Sequence, residues 1–334
     1  SIRKYGIGGK INMKRICLIA TGGTIASEAG AHGLRPALSG EKLLQMVPQL
    51  ENIAQIDCKE ILQLDSSNLL PAHWQLMAQT VQDVYEAYDG FVITHGTDTM
   101  AYSAAALYYM LQGTQKPVVL TGSQLPIEHP STDAKRNLLA AFLTACSGHG
   151  GVYLAFDSHV ILGNAVRKMY TEAFEAFLSI NREDAAYFDG RQLIWNAAVM
   201  PEGTFVPQLA LDEKVCVLKL TPGVGPELLQ HLVDAGYHAV VIEGYGAGGV
   251  PTQDSPKNFL PAIDYARAHG TAIVCATQCI YDGVHLDRYE MGVLAAEHGA
   301  VSGGDLPVEA LVAKLMVTLA KTRDLAAIRN ILEA

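Results

Sequence analysis

Ile16-Cys17-Leu18-Ile19-Ala20-Thr21-Gly22-Gly23-Thr24 is the stretch that decides the fold. An unbroken apolar run stops at a hydroxyl and two glycines. A run this short, bounded by glycine, reads as a buried parallel strand: both faces of a parallel sheet are covered, so no polar alternation is needed. The same pattern returns in Phe91-Val92-Ile93-Thr94, stopped by His95-Gly96, and in Pro117-Val118-Val119-Leu120, stopped by Thr121-Gly122. Helical periodicity fills the gaps, over Trp74 to Ala87 and Met100 to Leu111. A long helix follows Ser131, with Leu138, Leu139, Phe142 and Leu143 on one face. Gly151 to Phe156 reads as a further strand, leading into a turn at Asp157-Ser158-His159. Strands alternating with helices of this length imply a parallel sheet with right-handed crossovers.

The alternation stops between Asp189 and about Glu213, where Pro201-Glu202-Gly203 and Pro207 punctuate the chain. It resumes with strands over Val215 to Leu220, Ala239 to Glu243 and Ala272 to Ala276. A helix spans Pro226 to Ala235, and two more close the chain. The expected organisation is α/β: a larger N-terminal parallel-sheet domain over 13–190, a connector over 191–212, and a smaller C-terminal α/β domain over 213–334. A length of 334 residues agrees with two domains. Ser1 to Lys10 lacks the apolar stretch of a secretory signal and reads as a short extension ahead of Met13.

Hydrophobic residues make up 49% of the chain and charged residues 17%, which excludes a disordered chain or a coiled coil. A formal net charge of −10 disfavours nucleic acid and anionic membrane as partners. No apolar run reaches the length of a membrane span. Cys17, Cys58, Cys146, Cys216, Cys275 and Cys279 show no Cys-x-x-Cys and no ligand spacing, so buried thiols in a reducing compartment are expected, and no zinc.

In open α/β sheets ligands bind beyond the carboxyl ends of the strands. Here those positions are rich in hydroxyls and glycine: Thr21-Gly22-Gly23-Thr24-Ile25-Ala26-Ser27, His95-Gly96-Thr97-Asp98-Thr99-Met100 and Thr121-Gly122-Ser123-Gln124. Paired glycines let the backbone approach a ligand closely. Neither the dinucleotide fingerprint nor the Gly-Lys-Ser/Thr of a P-loop is present. Taken alone, Asp98 reads more readily as a cap for the helix that follows it than as a catalyst. A threonine hydroxyl, however, is a poor nucleophile until a base takes its proton, and a second hydroxyl held between a carboxylate and a lysine can relay that proton. Thr97 beside Asp98 supplies two of those three groups.

Thr-Gly-Gly-Thr-Ile-Ala-Ser at 21–27 with His-Gly-Thr-Asp-Thr-Met at 95–100 resembles the two signature motifs of the bacterial-type L-asparaginases. Asp65-Ser66-Ser67, Thr121-Gly122-Ser123-Gln124 and Thr277-Gln278-Cys279 are in the style of the cytoplasmic type I branch. The resemblance runs from Met13 to the C-terminus. It implies a cytoplasmic hydrolase that converts L-asparagine and water to L-aspartate and ammonia, with no metal or organic cofactor, assembled as a homodimer or homotetramer. It implies Thr24 as the nucleophile and Thr97, Asp98 and Lys168 as a relay triad. Asp65 and Ser66 would hold the substrate's amino and carboxylate groups, with Gly96 and Ser123 beside them. By itself Lys168, in Gly163-Asn164-Ala165-Val166-Arg167-Lys168, reads as a solvated charge.

Two departures stand out. The family places a tyrosine in the loop after the nucleophile, where this chain has Gly33-Leu34-Arg35-Pro36, so Tyr289 is the candidate phenol. Gly249 stands where many relatives carry an asparagine that reaches into a neighbouring subunit's site. Competing readings are a glutaminase-asparaginase, since one methylene is worth only about 1–3 kcal/mol in a pocket, a non-catalytic asparagine sensor, and the asparaginase-like subunit of the archaeal glutamyl-tRNA amidotransferase. The last is disfavoured by the 12 residues before Met13 and the charge of −10.

Overall fold

The computed structural model describes residues 13–30, 33–196 and 203–333. The chain forms two α/β units. The first runs through β1 (Arg15–Gly22), a hairpin of β2 (Ser27–Gly30) and β3 (Gly33–Pro36), α1 (Gly40–Gln45), β4 (Gln55–Leu64), α2 (Pro71–Asp83), β5 (Gly90–Thr94), α3 (Met100–Met110), β6 (Pro117–Thr121), α4 (Ala134–Cys146), β7 (Gly151–Phe156) and β8 (His159–Leu162). A second hairpin, β9 (Val166–Lys168) and β10 (Phe177–Ser179), and the pair β11 (Ala186–Phe188) and β12 (Leu193–Trp195) complete it. The second unit comprises β13 (Val215–Lys219), α5 (Glu227–Asp234), β14 (Ala239–Gly244), α6 (Leu260–Ala268), β15 (Ala272–Thr277), α7 (Glu290–Glu297), β16 (Val301–Ser302), α8 (Val308–Leu319) and α9 (Leu325–Glu333).

The large sheet has the order β12-β11-β8-β7-β6-β5-β1-β4. It is mixed, which corrects the expectation of a parallel sheet. β4, β1, β5, β6 and β7 are parallel, whereas β8, β11 and β12 join antiparallel. The reversal happens at Asp157, whose φ of 53° turns the chain straight back from β7 without a crossover helix. The smaller sheet, β13-β14-β15-β16, is parallel throughout.

The span read as an irregular connector is also more ordered than expected. Leu193–Trp195 pairs with Ala186–Phe188 as the edge of the large sheet. Further on, Phe205 stacks on Tyr85 with ring centroids 4.1 Å apart. Gln208 N donates to the Met110 carbonyl, and Gln75 Nε2 to that of Leu209. Pro201 and Glu202, which suggested the break, lie outside the described residues.

Burial explains the elements. Ile16 to Ile19, Phe91 to Ile93 and Val118 to Leu120 have no exposed surface, as strands covered on both faces require. α3 is apolar nearly all round because it lies between the units, against the large sheet and α8, in a core that both units share. Trp74 reaches from α2 to donate its indole N–H to Ser103 Oγ of α3 at 2.8 Å. α1 and α4 cover the other face of the large sheet.

Candidate active site

Three loops leave the carboxyl ends of β1, β5 and β6 and stack with no room for side chains between them. A Cβ on Gly23 would lie 2.3 Å from Gly96 N, and one on Gly122 2.3 Å from the His95 carbonyl oxygen. Gly23 also has a φ of 82°, which an L side chain rarely adopts. The backbones of the two Gly/Thr loops therefore touch, and Thr24 and Thr97 each sit one residue beyond the contact. Gly23→Ala is expected to destabilise the protein by about 1–3 kcal/mol from the φ requirement alone, before the clash is counted. Denaturant unfolding checks this.

Thr24 opens a single 3₁₀ turn, partly exposed, and its hydroxyl makes no hydrogen bond among the described residues. Thr97 is buried, and Lys168 Nζ donates to its Oγ1 at 2.8 Å and to Asp98 Oδ1 at 2.7 Å. The hairpin β9–β10 performs this assembly: it turns Lys168, at the end of β9, over the loop after β5. The lysine is mostly covered while Asp98 stays open to solvent on its other side. The hydrogen bond from Lys168 is the main cause that holds the Asp98 carboxyl below its usual range, against partial burial that pushes it up. No hydrogen bond within the described chain uses Gly96 N or Thr97 N, which leaves both N–H groups uncommitted.

Gln124 and Ser67 belong to this arrangement although only their loops attracted notice in the sequence. Gln124 Nε2 donates to the carbonyls of Thr171 and Ala173, which orients the amide so that its Oε1 accepts from Thr97 Oγ1 at 3.4 Å. The carboxylate of Asp133 in turn takes the backbone N–H of Gln124 and of Leu125. Ser67 Oγ donates to Asp98 Oδ2 at 3.3 Å. No local sequence signal marks either role, because each partner comes from a distant segment.

The other expected site residues divide. Ser66 is buried against Gly96, on which a Cβ would lie 2.6 Å from Ser66 Oγ. Asp65 is exposed and caps the short turn over Ser66–Asn68, accepting from Ser67 N at 2.8 Å. Ser123 is fully buried, and its hydroxyl is engaged with the Leu125 carbonyl at 2.5 Å. Tyr289 is not brought to Thr24. It stands exposed ahead of α7, over a recess lined by Tyr245, Gly249 and His285 among others, none of them from the Gly/Thr loops. Gly249 presents only backbone there. Among the described residues no three His, Cys, Asp or Glu side chains converge to hold a metal.

His95, beneath the loop, is fully buried. Its Nδ1 donates to the Gly96 carbonyl at 2.6 Å, and Nε2 has no partner among the described residues. Burial lowers its pKa from 6.5 to about 4, so the folded protein keeps it neutral where the unfolded chain takes up a proton. Its stabilising contribution is complete above the unfolded pKa and falls as pH drops from about 6.5 towards 4. At pH 5 the loss amounts to about 2 kcal/mol. His95→Phe is expected to show a correspondingly flatter stability profile between pH 7 and pH 5 in denaturant titrations.

Fold and site together define a two-domain α/β hydrolase, with a threonine-rich floor at the carboxyl edge of its larger sheet. Residues 15–200 match the family Asparaginase, N-terminal, and residues 214–332 the Glutaminase/Asparaginase C-terminal domain. The chain belongs to the asparaginase family. It is 41% identical to an L-asparaginase of Thermococcus kodakarensis over 96% of this chain and 97% of that protein. The solved structure of the thermostable L-asparaginase from that organism superposes with a TM-score of 0.90 at 40% identity, covering 96% and 97% of the two chains. L-asparaginase I from Vibrio cholerae gives a TM-score of 0.85 at 30% identity, covering 96% of this chain and 97% of that one. A glutamyl-tRNA(Gln) amidotransferase chain of Pyrococcus furiosus is 37% identical, over 93% of this chain and 73% of that protein. Among the described residues no helix is long and apolar enough to cross a membrane.

Proposed function

We propose that this enzyme is an L-asparagine amidohydrolase working through an acyl-threonine. The observation that carries the reading is the convergence of Thr97, Asp98 and Lys168 beside the unengaged hydroxyl of Thr24. Thr24 Oγ1 bonds to the side-chain amide carbon of asparagine. The C–N bond then breaks, and the amide nitrogen leaves as ammonia carrying the hydroxyl's proton. Water adds to the aspartyl ester, releases L-aspartate and returns a proton to Thr24 Oγ1. Gly96 N–H and Thr97 N–H stabilise the oxyanion of each tetrahedral intermediate. The Thr97 hydroxyl, placed between Lys168 Nζ and Gln124 Oε1, passes protons to and from the leaving group.

A zwitterionic substrate suits the surrounding groups. The exposed carboxylates of Asp65 and Asp98 face its ammonium, while Ser66, Gly96 and Ser123 form the floor on its carboxylate side. Full-length likeness to an L-asparaginase favours this reading over the amidotransferase and sensor alternatives. A cytoplasmic homodimer or homotetramer goes with it. Ammonia release from L-asparagine, L-glutamine and D-asparagine tests the proposal: fastest release from L-asparagine supports it, and no release from any amide overturns it.

Tyr289 remains the proposed phenol of the nucleophile's surroundings. Within the described chain no hydrogen bond or shared recess links it to Thr24, so in this reading it acts across an assembly. Tyr289→Phe is then expected to lower kcat by about 10²-fold or more, with unchanged thermal unfolding. Wild-type turnover in the oligomer removes Tyr289 from the mechanism.

A further inference from the structure

α3 starts beside Asp98 and carries the chain roughly 15 Å away from the site, at 1.5 Å per residue. At its far end a half-open cavity of about 800 Å³ lies between the two units. The wall includes Tyr109, Asn164 from the turn between β8 and β9, Arg182, Asp305 beyond β16, and Lys314 of α8. Loops at the carboxyl end of a parallel strand are where α/β sheets receive ligands, and Ser302 to Leu306 is such a loop. The volume falls within the range of small-molecule sites.

Two groups of the wall are only partly satisfied among the described residues. Lys314 is half-buried, and its one hydrogen bond there goes to the Leu332 carbonyl at 3.3 Å. No carboxylate of the described chain lies within ion-pair distance of it, although Asp305 attracts it from farther off. Asp305 lies 3.8 Å from Arg182, and Glu333 lies 3.7 Å from Arg329. Burial, reinforced by Arg182 and opposed by the charge of Asp305, pushes the lysine's pKa down, as expected of a cation held partly away from water. The second group is Asn164. The residue is only 5% exposed; its side chain hydrogen-bonds Tyr109, and its Oδ1 is buried with no donor among the described residues. An orphaned acceptor of this kind costs about 1–3 kcal/mol, and natural interiors keep few of them.

We propose that this cavity binds a small organic carboxylate that also carries an O–H or N–H donor, the carboxylate meeting Lys314 and Arg182 and the donor satisfying Asn164 Oδ1. Hydroxy acids and amino acids share this chemistry. The wall's two carboxylates disfavour a polyanion such as a nucleoside triphosphate.

Calorimetric titration of the full chain with L-malate and with succinate, which lacks the hydroxyl, tests the assignment. Saturable binding of L-malate is expected, tighter than that of succinate. Lys314→Met weakens it by about tenfold, the worth of one charge-assisted hydrogen bond, and Asn164→Leu removes the preference for malate. Lys314→Arg, which keeps the charge, binds within a few-fold of wild type. The exposed Lys321→Met, on the same wall, weakens binding several-fold and serves if Lys314→Met does not fold. Absence of saturable binding at millimolar ligand overturns the proposal. So does binding unaffected by all of these variants, which would belong to the Gly/Thr loops instead.

Discussion

Thr24→Ala is expected to lower kcat for L-asparagine by about 10⁴-fold or more while leaving stability within about 0.5 kcal/mol of wild type. The two halves of this expectation have separate grounds. The hydroxyl is partly exposed and makes no hydrogen bond within the described chain, so its removal orphans no buried group. The same hydroxyl is the atom that would form the ester, and an alanine has nothing to replace it. Thr24→Ser keeps the oxygen but loses the methyl group that fixes its rotamer, so it should retain partial turnover. Mass spectrometry of acid-quenched wild type during turnover should show an aspartyl adduct on the peptide containing Thr24. Near-wild-type ammonia release by Thr24→Ala would transfer the nucleophile's role to Thr97.

Lys168→Met is the second large effect. It should reduce kcat by about 10²–10⁴-fold, the usual worth of positioned proton transfer, with a smaller change in KM. Among the described residues, Lys168 Nζ alone reaches both Thr97 Oγ1 and Asp98 Oδ1. Its loss takes away the main cause that keeps the Asp98 carboxyl low. The sign follows: with the folded pKa of Asp98 raised, the acid limb of the rate profile moves to higher pH. In wild type the carboxylate persists to below the ordinary range and is lost only as pH falls through that depressed value. Lys168→Arg separates charge from proton transfer. A guanidinium keeps the positive charge beside Asp98 but cannot give up its proton, so the acid limb should stay low while kcat remains poor. Equal recovery of both in the arginine variant would reduce Lys168 to an electrostatic role.

How legible each part was depends on where its partners come from. The strands at 15–22, 90–94 and 117–121 could be read because a fully covered parallel strand needs a short unbroken apolar run, and burial confirms that cause. β4 carries Asp57, Lys59 and Glu60 at the open edge of the same sheet, so its pattern is mixed and it escaped notice. The antiparallel end escaped too, because β8, β11 and β12 are only three or four residues long, and the turn at Asp157 depends on a positive φ that aspartate tolerates without advertising it. In the site, Thr24, Thr97 and Asp98 were visible because they follow strands directly. Lys168 stood out only through its motif's resemblance, and Gln124 not as a site residue at all.

The alternating α/β architecture, the division into two units, and the loops that carry hydroxyls and glycine to one sheet edge are all legible in the linear chain. Strand propensity, helix periodicity and glycine punctuation are local properties, so they survive in a linear reading. Packing in three dimensions is what brings Gly23 and Gly96 together backbone to backbone, carries Lys168 on a short hairpin onto Thr97, and leaves Tyr289 over a separate recess. Those facts depend on register, on the hand of the crossovers and on turns between segments some 70 residues apart. Contacts of that range arise from packing the whole sheet, and no local stretch of sequence encodes them.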